Sequence, residues 1–337
     1  MIGIAWGTIA LQVATVAFAT AGILLALSIL TPGNFLTNSI RDTSPGQPVR
    51  QLGGLVILPV AMVAASLFSN AGMQYGLHFP AVAAVIAIWF LGLIDDRYHL
   101  PAGPKLAVQL IAAFAAATTA PSGVGLGVLT GPAELALATI ALIGFANMTN
   151  FMDGMDLMSV VGIGVPIAAL SLTMVAGGET GMVVLFCLLL AAGLIGFAPF
   201  NFPKARLYLG DSGSLAIGLS AGLLALNAVP LDFEAAFLPF GYYMTDTTTT
   251  VLIRARAGEN LFRAHSRHAY QAALKAGRDP RWVALHVLVV NLILAALGAV
   301  AAFVDSLRVD LAMVACGVAI AFALVWRLRT AGPPPGQ

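Results

Sequence analysis

Eleven apolar runs of bilayer-spanning length divide this sequence, near residues 4–30, 53–70, 79–94, 105–120, 126–146, 158–176, 181–198, 213–230, 235–253, 283–303 and 310–327, bounded by Gly, Pro or charge. A segment that crosses hydrocarbon needs about 20 apolar residues, and a helix satisfies its own backbone polar groups there. The pattern therefore predicts an all-α polytopic transmembrane bundle of about 11 spans (10–11), with residues 1–330 as one transmembrane domain. A soluble fold is excluded, because 9% of the residues are charged and 59% hydrophobic, against about 25% charged in soluble domains. Residues 1–30 contain no Lys or Arg, so the positive region of a cleavable signal is missing and a retained first span is expected. The Gly/Pro-rich tail 331–337 is expected to be disordered. Cys187 and Cys316 are too few for a disulfide framework and read as packing residues.

If the runs alternate across a bilayer, fifteen of the sixteen basic residues fall in one set of loops and only Arg308 in the other. The positive-inside rule makes the basic side cytoplasmic, which places the N-terminus in the periplasm and the C-terminus in the cytoplasm of an inner-membrane protein. The net charge of +1 gives no reason to expect a nucleic-acid partner.

Polar groups gather on the same side. Asp95 and Asp96 close the third run, Asn147, Asn150, Asp153 and Asp156 follow the fifth, and Asn201, Tyr208 and Asp211 flank the loop before the eighth. His265, Arg267 and His268 lie in the longest loop, Arg254 to Arg281. Acids collected at one membrane face repel unless they hold a cation or move protons. Oxygen donors without thiolates favour a hard ion. Mg2+, with Mn2+ as its substitute, binds through one or two carboxylates plus substrate phosphates. With a basic loop as counter-charge, the constellation points to phosphoryl transfer. Each group also has a plain structural reading. Asp95-Asp96 or Gly210-Asp211-Ser212 can cap helices, and Asp246 among the threonines 245 and 247–250 reads as a hydrogen-bonded structural acid.

Gly92-Leu93-Ile94-Asp95-Asp96, with Leu100, Lys105-Leu106 and Gln109, forms a DDxxxLxxxxKLxxQ block, and Asn147 to Asp156 an NxxNxxDGxD block. Pro199-Phe200-Asn201 and Gly210-Asp211-Ser212-Gly213-Ser214 add PFN and GDxGS blocks, and Pro48 to Gly54 a proline and double-glycine stretch. In these ordered blocks the chain resembles the polyprenyl-phosphate N-acetylhexosamine-1-phosphate transferases, a membrane family that includes phospho-N-acetylmuramoyl-pentapeptide transferase. The resemblance implies Mg2+-dependent transfer of a sugar 1-phosphate from a UDP-N-acetyl sugar to undecaprenyl phosphate, releasing UMP. It also implies that Asp211 and Asn150 ligand the metal and that Asp95 and Asp96 lie near the acceptor phosphate. Asn147, Asp153, Asp156, Asn201, Tyr208, Lys105 and Arg267 would then bind substrate, Tyr208 stacking on uracil, with His265 and His268 among the catalytic groups. The block His265-Ser266-Arg267-His268-Ala269-Tyr270-Gln271 is closer to the branch that starts O-antigen and capsule-type glycans than to peptidoglycan synthesis, and leaves the donor sugar open. Membrane lipids are expected partners, and the reading leaves room for a homodimer. The competing class is an ion-coupled transporter, whose acids belong near the midplane on broken helices.

Overall fold

The computed structural model describes residues 6–38, 49–69, 78–121, 130–261, 263 and 265–332. Pro48 of the proline and double-glycine stretch, the start of the fifth run and the tail from 333 on lie outside them. Among the described residues thirteen α-helices follow in chain order: α1 (Trp6–Leu30), α2 (Gly53–Phe68), α3 (Phe79–Tyr98), α4 (Ala102–Ala117), α5 (Pro132–Met152), α6 (Val165–Ala176), α7 (Met182–Asn201), α8 (Asp211–Ala228), α9 (Phe233–Phe237), α10 (Gly241–Arg256), α11 (Ala269–Lys275), α12 (Pro280–Phe303) and α13 (Leu307–Arg329). A two-residue antiparallel pairing joins β1 (Thr37–Asn38) to β2 (Val49–Arg50).

Each expected run corresponds to a helix, but several boundaries move. Apolarity ends where hydrocarbon ends, whereas the i→i−4 ladder runs on until a cap or a left-handed residue stops it. Helix α3 therefore continues past residue 94 to Tyr98, where His99 at φ 54° turns the chain. Asp95 and Asp96 belong to its last turns. Helix α5 likewise reaches Met152 and carries Asn147 and Asn150. The ninth run is broken into α9, a 3-10 turn (Leu238–Phe240) and α10. Among the described residues, six helices (α1, α3, α5, α7, α12 and α13) are long and apolar enough to cross a membrane.

At the centre stands α8, buried along almost its whole length and packed chiefly against α5 and α3, then α2 and α7. Its small residues permit close approach. A Cβ on Gly92 of α3 would lie 2.4 Å from the Ser212 Cα, so α3 and α8 cross almost backbone to backbone. Helices α12 and α13 pair at one flank, and α1 lies against α2 and α7. Outward faces carry large apolar side chains such as Phe18 and Phe322, as a lipid-facing surface requires.

Candidate active site

Consecutive residues on a helix project about 100° apart, so Asp95 and Asp96 part company. Asp96 turns inward, where its two oxygens accept the N–H groups of Asp211 (2.7 Å) and Ser212 (3.1 Å). Gly210, the residue before α8, has no side chain to cap the helix. Its φ of +80°, and the 2.7 Å that would separate a Cβ from Asp96 Oδ2, require glycine there. Asp96 thus caps α8 from another helix, satisfying donors that the first turn leaves open.

Asp95 faces the other way. It accepts the Leu100 N–H (2.6 Å) and the ammonium of Lys105 (2.5 Å). The same ammonium reaches Asp211 at 3.1 Å, with Asp211 28% and Lys105 21% exposed at the side chain. Lys105 therefore bridges two carboxylates from different helices. One turn further along α8, Ser214 accepts from the Asn150 carboxamide nitrogen at 2.9 Å. This commits the nitrogen and turns the carboxamide's lone pairs over to any cation.

A cleft of about 680 Å³ opens beside this bridge, and its walls include Lys105, Asn147, Asn150, Arg263, His265 and His268. Asn147 is held by Gln109, whose oxygen accepts from it at 2.7 Å. Residues 265 and 268 would share a face only if their loop were helical, and it is not, because α11 begins only at Ala269. The two rings still come together, with centroids 5.0 Å apart and both near the Phe151 ring. Nδ1 of His265 accepts the Arg267 N–H, so a neutral imidazole fits this bond. Burial, followed by the positive neighbours His268 and Arg254, pushes its pKa down to about 4.

The loop is pinned by Arg254, which is buried and donates to the carbonyls of Asn260 (2.6 Å), Arg263 (3.0 Å) and Leu261 (3.3 Å). Glu259 pairs with Arg254 at 3.3 Å and with Arg267 at 2.5 Å. Asp246 is fully buried and hydrogen-bonded, as the sequence suggests for a structural acid. Neither the Arg254 staple nor the Arg329 that reaches Asp246 was foreseeable, since one sequence carries no sign of such pairings.

Asp153, Asp156, Asn201 and Tyr208 are brought together elsewhere, in the supporting frame rather than on the walls of this cleft. Asp153 bonds Ser159, Asp156 accepts the Ala205 N–H, and Asn201 links the Leu157 N–H (2.6 Å) to the Leu207 carbonyl (2.9 Å). Leu157 sits at φ 64°, a strained conformation for a non-glycine residue that the Asn201 bond helps to hold. Tyr208 is enclosed with Val49 and Ala205, and its backbone pairs with Arg50 and Gly53. These bonds tie the turn after α5 to the segment before α8.

Among the described residues no group of three or more His, Cys, Asp or Glu side chains forms a metal cage. A hard ion that keeps waters and shares substrate phosphates needs none. Asp211 and Asn150 offer oxygen donors on one face of the α8 terminus, and the lysine already between Asp95 and Asp211 marks a spot that favours positive charge. The residues fit Mg2+.

Residues 78–229 match glycosyl transferase family 4. A decaprenyl-phosphate N-acetylglucosaminephosphotransferase of Mycolicibacterium smegmatis is 30% identical over 333 residues, covering 86% of this chain and 81% of the relative. That of Mycobacterium tuberculosis is 31% identical over 278 residues, covering 71% and 68%. A phospho-N-acetylmuramoyl-pentapeptide-transferase of Streptococcus uberis is 28% identical over 263 residues, covering 68% and 77%. The family match spans α3 to α8 and hence the acid side of the cleft, while the histidine loop lies beyond it.

Proposed function

This chain belongs to glycosyl transferase family 4 as a multi-pass membrane transferase, and we propose that it moves an N-acetylated sugar 1-phosphate from a UDP-sugar onto undecaprenyl phosphate. The products are undecaprenyl-diphospho-sugar and UMP, and the step initiates O-antigen, capsule or another cell-envelope glycan. The observation that carries this reading is the Lys105 bridge between Asp95 and Asp211 at the edge of a cleft walled by Asn, His and Arg. Carboxylates and cations meet there within one space, as transfer between two phosphate-bearing substrates demands. The names of the mycobacterial relatives make UDP-N-acetylglucosamine the first donor to try.

An oxygen of the acceptor phosphate attacks the β-phosphorus of the donor. The bond from that phosphorus to the bridging oxygen breaks, and UMP leaves with the electron pair. Asp95, buried behind Lys105 and joined to the cleft through it, orients the acceptor; positioning is the larger task, because a phosphate of second pKa near 6 needs little help to ionise. Lys105 offsets charge on both substrates, and Arg263, His265 and His268 on the cleft wall face the donor phosphates and sugar, with Arg267 beside them, paired to Glu259. Asp211 and Asn150 would hold Mg2+, which when bound neutralises the pyrophosphate. Asp96, by capping α8, sets where Asp211 stands. The cleft opens at the cytoplasmic face of the inner membrane, the side on which nearly all basic residues fall.

Incubating purified protein with Mg2+, undecaprenyl phosphate and a panel of UDP-sugars tests this reading. The expected result is a lipid-linked diphospho-sugar from one N-acetylated donor, with stoichiometric UMP. A phosphosugar trapped on the protein in the absence of acceptor would overturn direct attack, and ion flux without any lipid product would favour the transporter.

A further inference from the structure

The mechanism leaves one buried polar hub unused. Both oxygens of Asp246, on α10, accept the Ala269 N–H at 3.0 Å, the first amide of α11. One of them also accepts the Thr250 hydroxyl at 3.1 Å. From the last turn of α13, Arg329 donates to Thr250 Oγ1 at 2.6 Å, to Asp246 at 3.4 Å and to the carbonyl of Arg267 at 3.2 Å.

These bonds fall on either side of one residue. Arg329 holds the peptide carbonyl before His268, and Asp246 holds the amide after it. The His268 N–H itself donates to Gln271 at 3.1 Å. The imidazole in between is 2% exposed, with Nδ1 3.7 Å from Asp246. Beyond the capping contact with the Gln271 N–H its nitrogens make no hydrogen bond among the described residues, and the ring lines the cleft. A buried imidazole with a nitrogen left unsatisfied is costly unless a ligand completes it, and it stays put only if its backbone is fixed. Three restraints from α10, α11 and α13 fix it.

We infer that Asp246 and Arg329 are positioning residues that hold His268 against the donor, so that the last helix, α13, belongs to the transfer site although it lies outside residues 78–229. The inference rests on the proposed function insofar as His268 meets the donor. Thr250 is the joint, since it touches both charged partners. The arrangement makes the orientation of a cleft residue depend on the docking of a helix whose outer face is lipid-exposed.

The test uses the full chain in lipid nanodiscs, with Arg329→Met, which keeps length but removes every donor, and Arg329→Lys, which keeps charge without the two-pronged fork. Two readouts are taken. Diethyl pyrocarbonate modification of His268 is followed by mass spectrometry with exposed His99 as internal reference, and kcat and donor KM are measured per folded molecule. In Arg329→Met, His268 should react about tenfold faster relative to His99, and kcat should fall about thirtyfold while donor KM stays within about threefold. Arg329→Lys should recover part of kcat. If Arg329→Met does not fold, Thr250→Val, which deletes only the joint hydroxyl, is expected to move both readouts the same way by a smaller factor. An unchanged His268 reactivity would overturn the clamp. Faster modification with kcat intact would overturn its part in transfer. A wild-type chain that transfers nothing would instead sink the proposed function, and the modification arm would still report on the clamp.

Discussion

On the acid side of the cleft, positions are set by main chain against main chain; on the basic side, by single side chains reaching for carbonyls. Gly92 lets α3 press onto the start of α8, and Asp96 closes that contact by accepting two backbone N–H groups, so Asp95 and Asp211 inherit their separation from rigid helix ends. The loop bearing Arg263, His265 and Arg267 is held differently. Arg254 and Arg329 hold it by carbonyl bonds. The contrast suits the two tasks. Under the proposed function, a metal and two phosphates would need fixed oxygens, whereas a loop that tells one sugar from another would need contacts that can be remade.

If the acid side is a matter of backbone packing, the largest loss should come from a methyl group rather than from a charge. Gly92→Ala drives a Cβ into the Ser212 backbone, a neighbour that cannot rotate away. The expected cost is at or above the usual overpacking range of about 1–3 kcal/mol, seen as loss of monodisperse protein and of activity together. Wild-type-like yield and turnover would break the comparison at its stronger half.

Asp211→Asn should come next. Its amide still reaches Asp96, so the fold should survive with an unchanged melting temperature, but turnover should fall by far more than tenfold, that is, beyond about 1.4 kcal/mol of barrier. A variant that keeps more than about a tenth of its activity at saturating Mg2+ removes the metal assignment.

Arg254→Met strips donors from three carbonyls in the loop while leaving α3, α4 and α8 alone. Donor KM should rise about tenfold, with a smaller change in kcat and in melting. Equal losses for donor and acceptor kinetics would show that the loop is not a separate unit. Exchanging residues 259–275 for the loop of a relative with another donor sharpens the point, since an unchanged ranking of UDP-sugars would remove specificity from this loop.

The smallest effect concerns pH. His265 titrates near 4 in the folded chain against about 6.5 when unfolded, so between these values the unfolded state binds more protons. Stability associated with His265 is complete above about pH 6.5 and is lost as pH falls toward 4. Wild-type melting should therefore decline over that window, and His265→Asn should decline less. Parallel curves would mean that the loop does not bury this ring.

The acid side was largely legible because its residues sit in two blocks of fixed spacing and the helix ends lie where apolar runs meet charge. What the runs misplace is the helix end itself, by about one turn at α3 and more at α5, since hydrogen bonding outlasts apolarity. Helical spacing would bring His265 and His268 onto one face, yet they meet, 5.0 Å apart, in a loop. Asp246 read correctly as a structural acid, yet its partner Arg329 lies 83 residues away, and Lys105 meets Asp211 across 106. Periodicity and composition report on neighbours within a few turns. Contacts of that range exist only once the helices have packed.

Helix α8 has a consequence for how the chain is made. Sixteen of its eighteen residues are buried, it is not among the six helices apolar enough to cross unaided, and its first residue is a carboxylate. A segment of this kind gains little by partitioning into lipid as it leaves the insertion machinery. Its chief neighbours α2, α3, α5 and α7 all precede it in the chain, so they leave the ribosome ahead of α8. Insertion of α8 is then an act of docking between helices, templated by those that emerge before it. Reversing that order, as a circular permutation opened between α7 and α8 would, removes the template and strands the helix that carries Asp211.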